Sequence, residues 1–187
     1  MPVVHRYDPP ERFVAGTVGP PGQRTFFLQA RAGVRITSVA LEKQQVAVLA
    51  ERVDGLLDDV MRAEGGSAVV PALTPSGLDD DAPLEQPIDE EFRAGTMTLA
   101  WDSDAERVVI EVFPIDESEE PVDEIEVVEA VEPDELRVVS LPPAHARAFC
   151  KRAQAVVAAG RPPCQFCGGP LDPDGHLCPR ANGFRRR

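Results

Sequence analysis

Read for its apolar and polar positions, the chain opens with short apolar runs and then changes to a helical period. Phe13-Val14-Ala15-Gly16-Thr17 and Thr25-Phe26-Phe27-Leu28-Gln29 are apolar stretches separated by Gly19-Pro20-Pro21-Gly22, the signature of two strands joined by a turn. A third run, Val34-Arg35-Ile36-Thr37-Ser38-Val39, follows. Val46, Leu49, Val53, Leu56, Leu57 and Val60 then recur at helical spacing, which predicts a helix over about 41–62.

The same succession returns later in the chain. Phe92-Arg93-Ala94-Gly95-Thr96 repeats the Phe-x-Ala-Gly-Thr opening. Arg107-Val108-Val109-Ile110-Glu111-Val112-Phe113 supplies a second strand after a turn at Asp102-Ser103-Asp104. Leu136-Arg137-Val138-Val139-Ser140-Leu141 supplies a third and shares the Arg-x-x-Ser spacing of Arg35 and Ser38. Ala148, Phe149, Arg152, Ala155 and Val156 then follow helical spacing. Ser140 with Pro142 and Pro143 marks a helix start, and Gly160 with Pro162 marks its end.

The pattern predicts an α+β protein in which a β-β-β-α unit is duplicated, with copies over about 12–62 and 91–160. Neither copy is long enough to bury its elements well alone. Paired about a pseudo-two-fold axis, they would form a two-layer domain over residues 1–160, an antiparallel sheet with both helices on one face. Aromatic residues are scarce, with one Trp and one Tyr, so the core is expected to be mostly aliphatic.

Charge divides the chain further. Nineteen basic against 32 acidic residues give a net charge of −13, which disfavours general binding to nucleic acid or anionic membranes. An acidic, Pro-containing stretch over about 74–90 reads as a linker between the copies, and the insert at about 116–133 as a solvated acidic loop with some valine character. The bias reverses over 161–187, where five Arg face two Asp. No run reaches the length of a membrane helix and the first residues lack a signal-peptide pattern, so a cytoplasmic protein is expected.

In that compartment thiols stay reduced, and the cysteines read as metal ligands or core residues. Cys164-Gln165-Phe166-Cys167, followed by Gly168-Gly169 and then by His176-Leu177-Cys178, places two ligand pairs close together. The Cys-x-x-Cys knuckle turns both thiolates to one point, and the glycines ease the turn. His176 and Cys178, two residues apart, share a face in an extended segment, and Asp172-Pro173-Asp174-Gly175 is the turn that returns them. The expected object over 161–187 is a knuckle-and-hairpin zinc site with ligands Cys164, Cys167, His176 and Cys178. Four protein ligands leave no open position, so its role is structural. Iron in the same ligand set is an alternative. A thioredoxin-like redox pair would sit at a helix start after a strand; here the pair follows a predicted helix and Pro162-Pro163.

Cys150 falls on the second helix as a small buried residue. His145 is the weaker candidate for the fourth ligand, and His5 reads as a surface residue. Arg35 and Arg137 occupy equivalent strand positions and could line an anion-binding groove between the copies, holding a phosphate-bearing substrate; ordinary ion pairs are the plainer reading. Ser38 and Ser140 lie in no nucleophile-elbow sequence and read as helix caps or strand ends. The sequence contains no phosphate loop and no dinucleotide fingerprint. Nothing else carries a catalytic signature. The balance favours a non-enzymatic binding or adaptor module with an unidentified protein partner. Nucleic-acid binding through Arg180, Arg185, Arg186 and Arg187 is the alternative.

The order of these features resembles an uncharacterised actinobacterial family, the "domain of unknown function three-oh-nine-oh" group. The likeness runs from His5-Arg6-Tyr7 through the Phe13–Thr17 strand and the helix around Glu42–Leu57. Its most specific part is the ending Gly175-His176-Leu177-Cys178-Pro179-Arg180-Ala181-Asn182-Gly183-Phe184-Arg185-Arg186. The resemblance implies an actinobacterial cytosol and no established activity.

Overall fold

A computed structural model describes residues 3–63, 69–115, 135–171 and 175–180. Its strands are β1 (Val3–Tyr7), β2 (Arg12–Val18), β3 (Thr25–Ala32), β4 (Arg35–Leu41), β5 (Glu90–Asp102), β6 (Arg107–Pro114) and β7 (Glu135–Leu141). The helices are α1 (Lys43–Ala63) and α2 (Pro143–Ala158). The acidic insert at 116–133 lies outside the described residues.

One seven-stranded sheet runs β1-β7-β6-β5-β4-β3-β2. The sequence pattern predicted antiparallel pairing throughout, but the sheet is mixed: β4 pairs β5 in parallel and β1 pairs β7 in parallel. The strand order also rules out the two-fold arrangement. The first strand of the second group, β5, lies beside the last strand of the first, β4. The groups are therefore shifted sideways across the sheet.

β5 bends the sheet. Its beginning pairs with β4 and its end with β6, with register shifts between Ser38 and Val39 and between Ala94 and Met97. Elements far apart in the strand order consequently meet. The Tyr7 and Thr37 hydroxyls share a hydrogen bond, and Arg137 donates to the Leu28 carbonyl at 2.8 Å. The Arg35 guanidinium lies 4.2 Å from the centre of the Tyr7 ring.

The main core joins the sheet to both helices. Ala15, Leu28, Val39, Val53, Leu57 and Ile110 in it are fully buried. Phe13 meets Phe149 of α2 with ring centroids 4.8 Å apart. Arg147, almost wholly buried, ties the two helices together: it donates to the Asp54 and Asp58 carboxylates and, at 3.0 Å, to the Pro71 carbonyl.

Strands β2–β4 are buried on their second face too, which explains their unbroken apolar runs. Val14, Phe27 and Ala40 form a smaller cluster with Leu84. Leu84 belongs to the acidic stretch expected as a linker, which lies across this face as a strap. A side chain on Gly16 would begin 2.5 Å from Leu84, so only glycine admits the strap there. The Gln29 amide holds Glu85 as a strand would, donating to its carbonyl at 3.0 Å and accepting from its N–H at 2.8 Å. Asp80 receives two hydrogen bonds from Arg12, at 2.6 and 2.9 Å, and one from Arg152 at 2.8 Å. The density of acids here is matched by half-buried arginines from β2 and α2.

Candidate metal centre

The Cys-rich segment leaves α2 at Ala158 and folds into a compact knuckle. Cys164 N–H donates to the Gly169 carbonyl at 2.7 Å, Gly168 N–H to the Cys164 carbonyl at 2.8 Å, and Leu171 N–H to the Pro162 carbonyl at 2.9 Å. Gly168 has φ of 73°, a conformation that favours glycine, and turns the chain just after Cys167. The backbone amides of Phe166 and Gly169 point at the sulfurs of Cys164 and Cys167, each at 3.4 Å.

Four ligand atoms converge in front of this knuckle. Those of Cys164, Cys167, His176 and Cys178 all lie within 4.8 Å of one another. Cys164 and Cys178 sulfurs are 3.8 Å apart, and the Cys167 sulfur is 3.1 Å from His176 Nε2. Thiolates bound tetrahedrally at about 2.3 Å from one ion stand about 3.8 Å apart, so the spacing fits a shared metal ion. The Cys164 thiol is lowered from its ordinary range by backbone hydrogen bonds from Cys167 and Phe166, an environment that favours the thiolate a metal needs. At Cys167 the Gly169 N–H also favours the thiolate, but desolvation and the adjacent Cys164 and Cys178 outweigh it and raise the thiol. A bound cation would oppose that mutual repulsion.

The remaining candidates are placed elsewhere. Cys150 is buried on α2 within the main core. His145 is exposed on the same helix and lines a cleft of about 480 Å³ with Arg12, Asp80 and Arg152, apart from the clustered ligands. His5 is half-buried, 3.3 Å from the Glu91 carboxylate. Arg180 donates to the Phe166 carbonyl at 3.3 Å, and Arg185, Arg186 and Arg187 lie outside the described residues.

One reading is corrected. Arg35 and Arg137 do not line an open groove: Arg137 is fully buried, and Arg35 covers Tyr7. Of the two roles expected for Ser140, it takes the strand end: it lies near the end of β7 opposite Val109, and the N-cap of α2 is Pro142. Ser38 is buried in β4 and accepts a hydrogen bond from Gln29 at 3.1 Å. The strap-holding pair Arg12 and Arg152 escaped sequence reasoning, although an arginine in the apolar register of a helix, as at 152, signals a buried partner.

Fold and site together define an α+β protein that carries a C-terminal Cys₃His cluster able to hold a metal ion. The chain belongs to the family described as protein of unknown function (DUF3090), whose family model matches residues 5–178. No curated protein and no solved structure matches it. Among the described residues no helix is long and apolar enough to cross a membrane.

Proposed function

We propose that this is a cytoplasmic, non-enzymatic binding or adaptor module whose C-terminal hairpin is stapled by a structural zinc ion. The observation that carries the reading is the convergence of four soft or borderline ligand atoms within 4.8 Å. Three thiolates and an imidazole suit zinc far better than magnesium or calcium, and a complete set of four leaves no position for a reacting water. Metal analysis of the purified chain should give about one zinc per chain. The Cys164→Ser and Cys178→Ser variants should lose it. Full zinc content in Cys178→Ser would overturn the choice of ligands, and iron in place of zinc would overturn the choice of metal.

The two strand–strand–strand–helix groups are read as copies of one unit laid side by side. In support, β2 and β5 share Phe-x-Ala-Gly-Thr. Both glycines are sites of close approach: a side chain on Gly95 would begin 2.9 Å from the Pro114 carbonyl oxygen.

One observation favours a second reading, contact with nucleic acid through the hairpin. Phe166 is 64% exposed beside Arg180, an aromatic and a cation on one small surface. A salt-dependent shift with single-stranded RNA or DNA, lost in Phe166→Ala and on deleting the final arginines, would support it. Absence of binding at low salt would remove it.

A further inference from the structure

Strand β5 pairs with β4 along its beginning and with β6 along the rest. Its register with β4 ends at Ala40 opposite Arg93, while Met97–Asp102 pairs with β6 alone among the described residues. Where β4 stops, α1 takes over. The Gln45 amide donates to the Ala94 and Gly95 carbonyls at 3.2 and 3.0 Å. Beyond that point helix and strand part, leaving a groove of about 270 Å³.

The groove is walled by apolar side chains. Met97 and Leu99 alternate with the exposed Thr96, Thr98 and Ala100, so they face one side together and line the groove with Leu49. Val48 on the helix wall is 44% exposed, an apolar side chain left open to solvent. Along Met97–Asp102 the strand edge away from β6 has no backbone partner among the described residues. An open strand edge beside a helix is suited to one kind of ligand, an extended chain. Main-chain hydrogen bonds hold such a chain, and every second side chain enters the groove.

Charge selects the occupant. Arg52 lies at the end of the groove away from Gln45, exposed and without an ion pair among the described residues. It complements a carboxylate. A second copy of the chain is disfavoured, because each copy brings a net charge of −13.

We propose that the α1–β5 groove is a peptide-docking site. An extended segment of another protein adds to the β5 edge as a strand, two alternating aliphatic side chains fill the groove, and a carboxylate meets Arg52. From Gly95 to Leu99 the strand spans about 13 Å, which sets the bound length at four or five residues. The inference rests on the binding-module reading and deepens it, but it uses no residue of the metal hairpin, so the two are separable by experiment.

The probe is the peptide acetyl-Thr-Val-Thr-Val-Thr-Asp-amide, titrated into the isotopically labelled full chain by NMR. Shifts are expected at residues 44–52 and 95–102, with a dissociation constant below about 1 mM. Methylating alternate peptide nitrogens should weaken binding about tenfold or more, since it deletes the ladder. Val48→Asp should do the same without unfolding the chain, because the position is already exposed. Arg52→Glu should reverse the preference between this peptide and one ending in Lys.

No shifts at about 1 mM peptide would overturn the proposal, as would equal binding of the methylated peptide. Slow hydrogen exchange of the outward β5 amides in the free monomer would also overturn it, by showing that the chain covers its own edge. A dimer in sedimentation that is lost in Val48→Asp would assign the groove to a second copy. The Cys178→Ser chain should bind the peptide as well as the parent does. Zinc loss with peptide binding intact leaves the groove standing, and a zinc-loaded chain that ignores the peptide removes the groove alone.

Discussion

The sheet-and-helix body and the C-terminal hairpin solve the same problem by opposite means. In the body, strands β2–β4 are buried on both faces and both helices press into one continuous hydrophobic core. In the hairpin the buried apolar atoms are largely the ligands themselves, Cys164 and Cys178, while Phe166 and Leu177 stand 64% and 86% exposed. Burial of apolar area orders the first. The second has too little to bury, so its order must come from whatever the four ligands hold. The difference teaches that a single chain can carry two stabilities with little in common, and that each should fail under a different insult.

The largest effect should come from removing the metal. Structural zinc in small peptide domains is worth about 10–16 kcal/mol of apparent binding energy, nearly all of it folding energy. Chelation at neutral pH should therefore unfold residues 161–180, seen as protease sensitivity and fast amide exchange there. The melting temperature of the body should hardly move. If body and hairpin melt together after chelation, the comparison collapses and the hairpin is part of the core.

Next in size is a cavity on the other side of the comparison. Phe149 is almost fully buried and packs on Phe13. Phe149→Ala should cost about 3–5 kcal/mol in urea unfolding of the body. The same variant should keep its full complement of metal. Loss of metal with the cavity would show that the hairpin needs the body to form.

What could be read in advance follows the same division. The hairpin ligands lie within 14 residues and declare themselves by spacing. The α1 stripe is equally local. Contacts made across the chain were illegible: Arg152 reaches Ala15 over 137 positions and Arg137 reaches Leu28 over 109. Arg137 in an apolar strand reads as one half of an ordinary ion pair or, less plainly, as a groove cation; its buried backbone partner is out of view because sequence cannot show that the sheet bends over it. The strap looked like a linker because its acids are visible in sequence and the arginines that meet them are not.

A smaller effect should attend the strap. The hydrogen bonds from Arg12 hold the Asp80 carboxyl below its ordinary value of 3.8. A depressed folded pKa stabilises the fold above the unfolded value, and that contribution disappears as pH falls through the folded value. Asp80 is partly open to solvent, so screening limits the contribution. Asp80→Asn should therefore cost about 1 kcal/mol at pH 7. The gap between parent and variant should narrow as pH drops below about 3.9. An unchanged gap at pH 2.5–3 would mean that packing of Leu84, and not charge, holds the strap.

The smallest effect sharpens the comparison most directly, because it sets cysteine against cysteine. Desolvation in the core pushes the Cys150 thiol up to about 12, with the nearby Asp54 charge adding to it. On the structural-zinc reading, the hairpin thiols sit in a segment that should open when the metal is chelated. After chelation at pH 8, iodoacetamide should modify Cys164, Cys167 and Cys178 and spare Cys150. The protected thiol should react about a thousandfold more slowly than an open one, because so little of it is thiolate. Denaturant should then expose it as the fourth. Mass spectrometry of the alkylated chain counts the two classes. Early modification of Cys150 would mean that α2 loosens with the hairpin, so the boundary between the two stabilities would lie inside the helix. Protection of Cys150 together with alkylation of the other three places it at the end of α2.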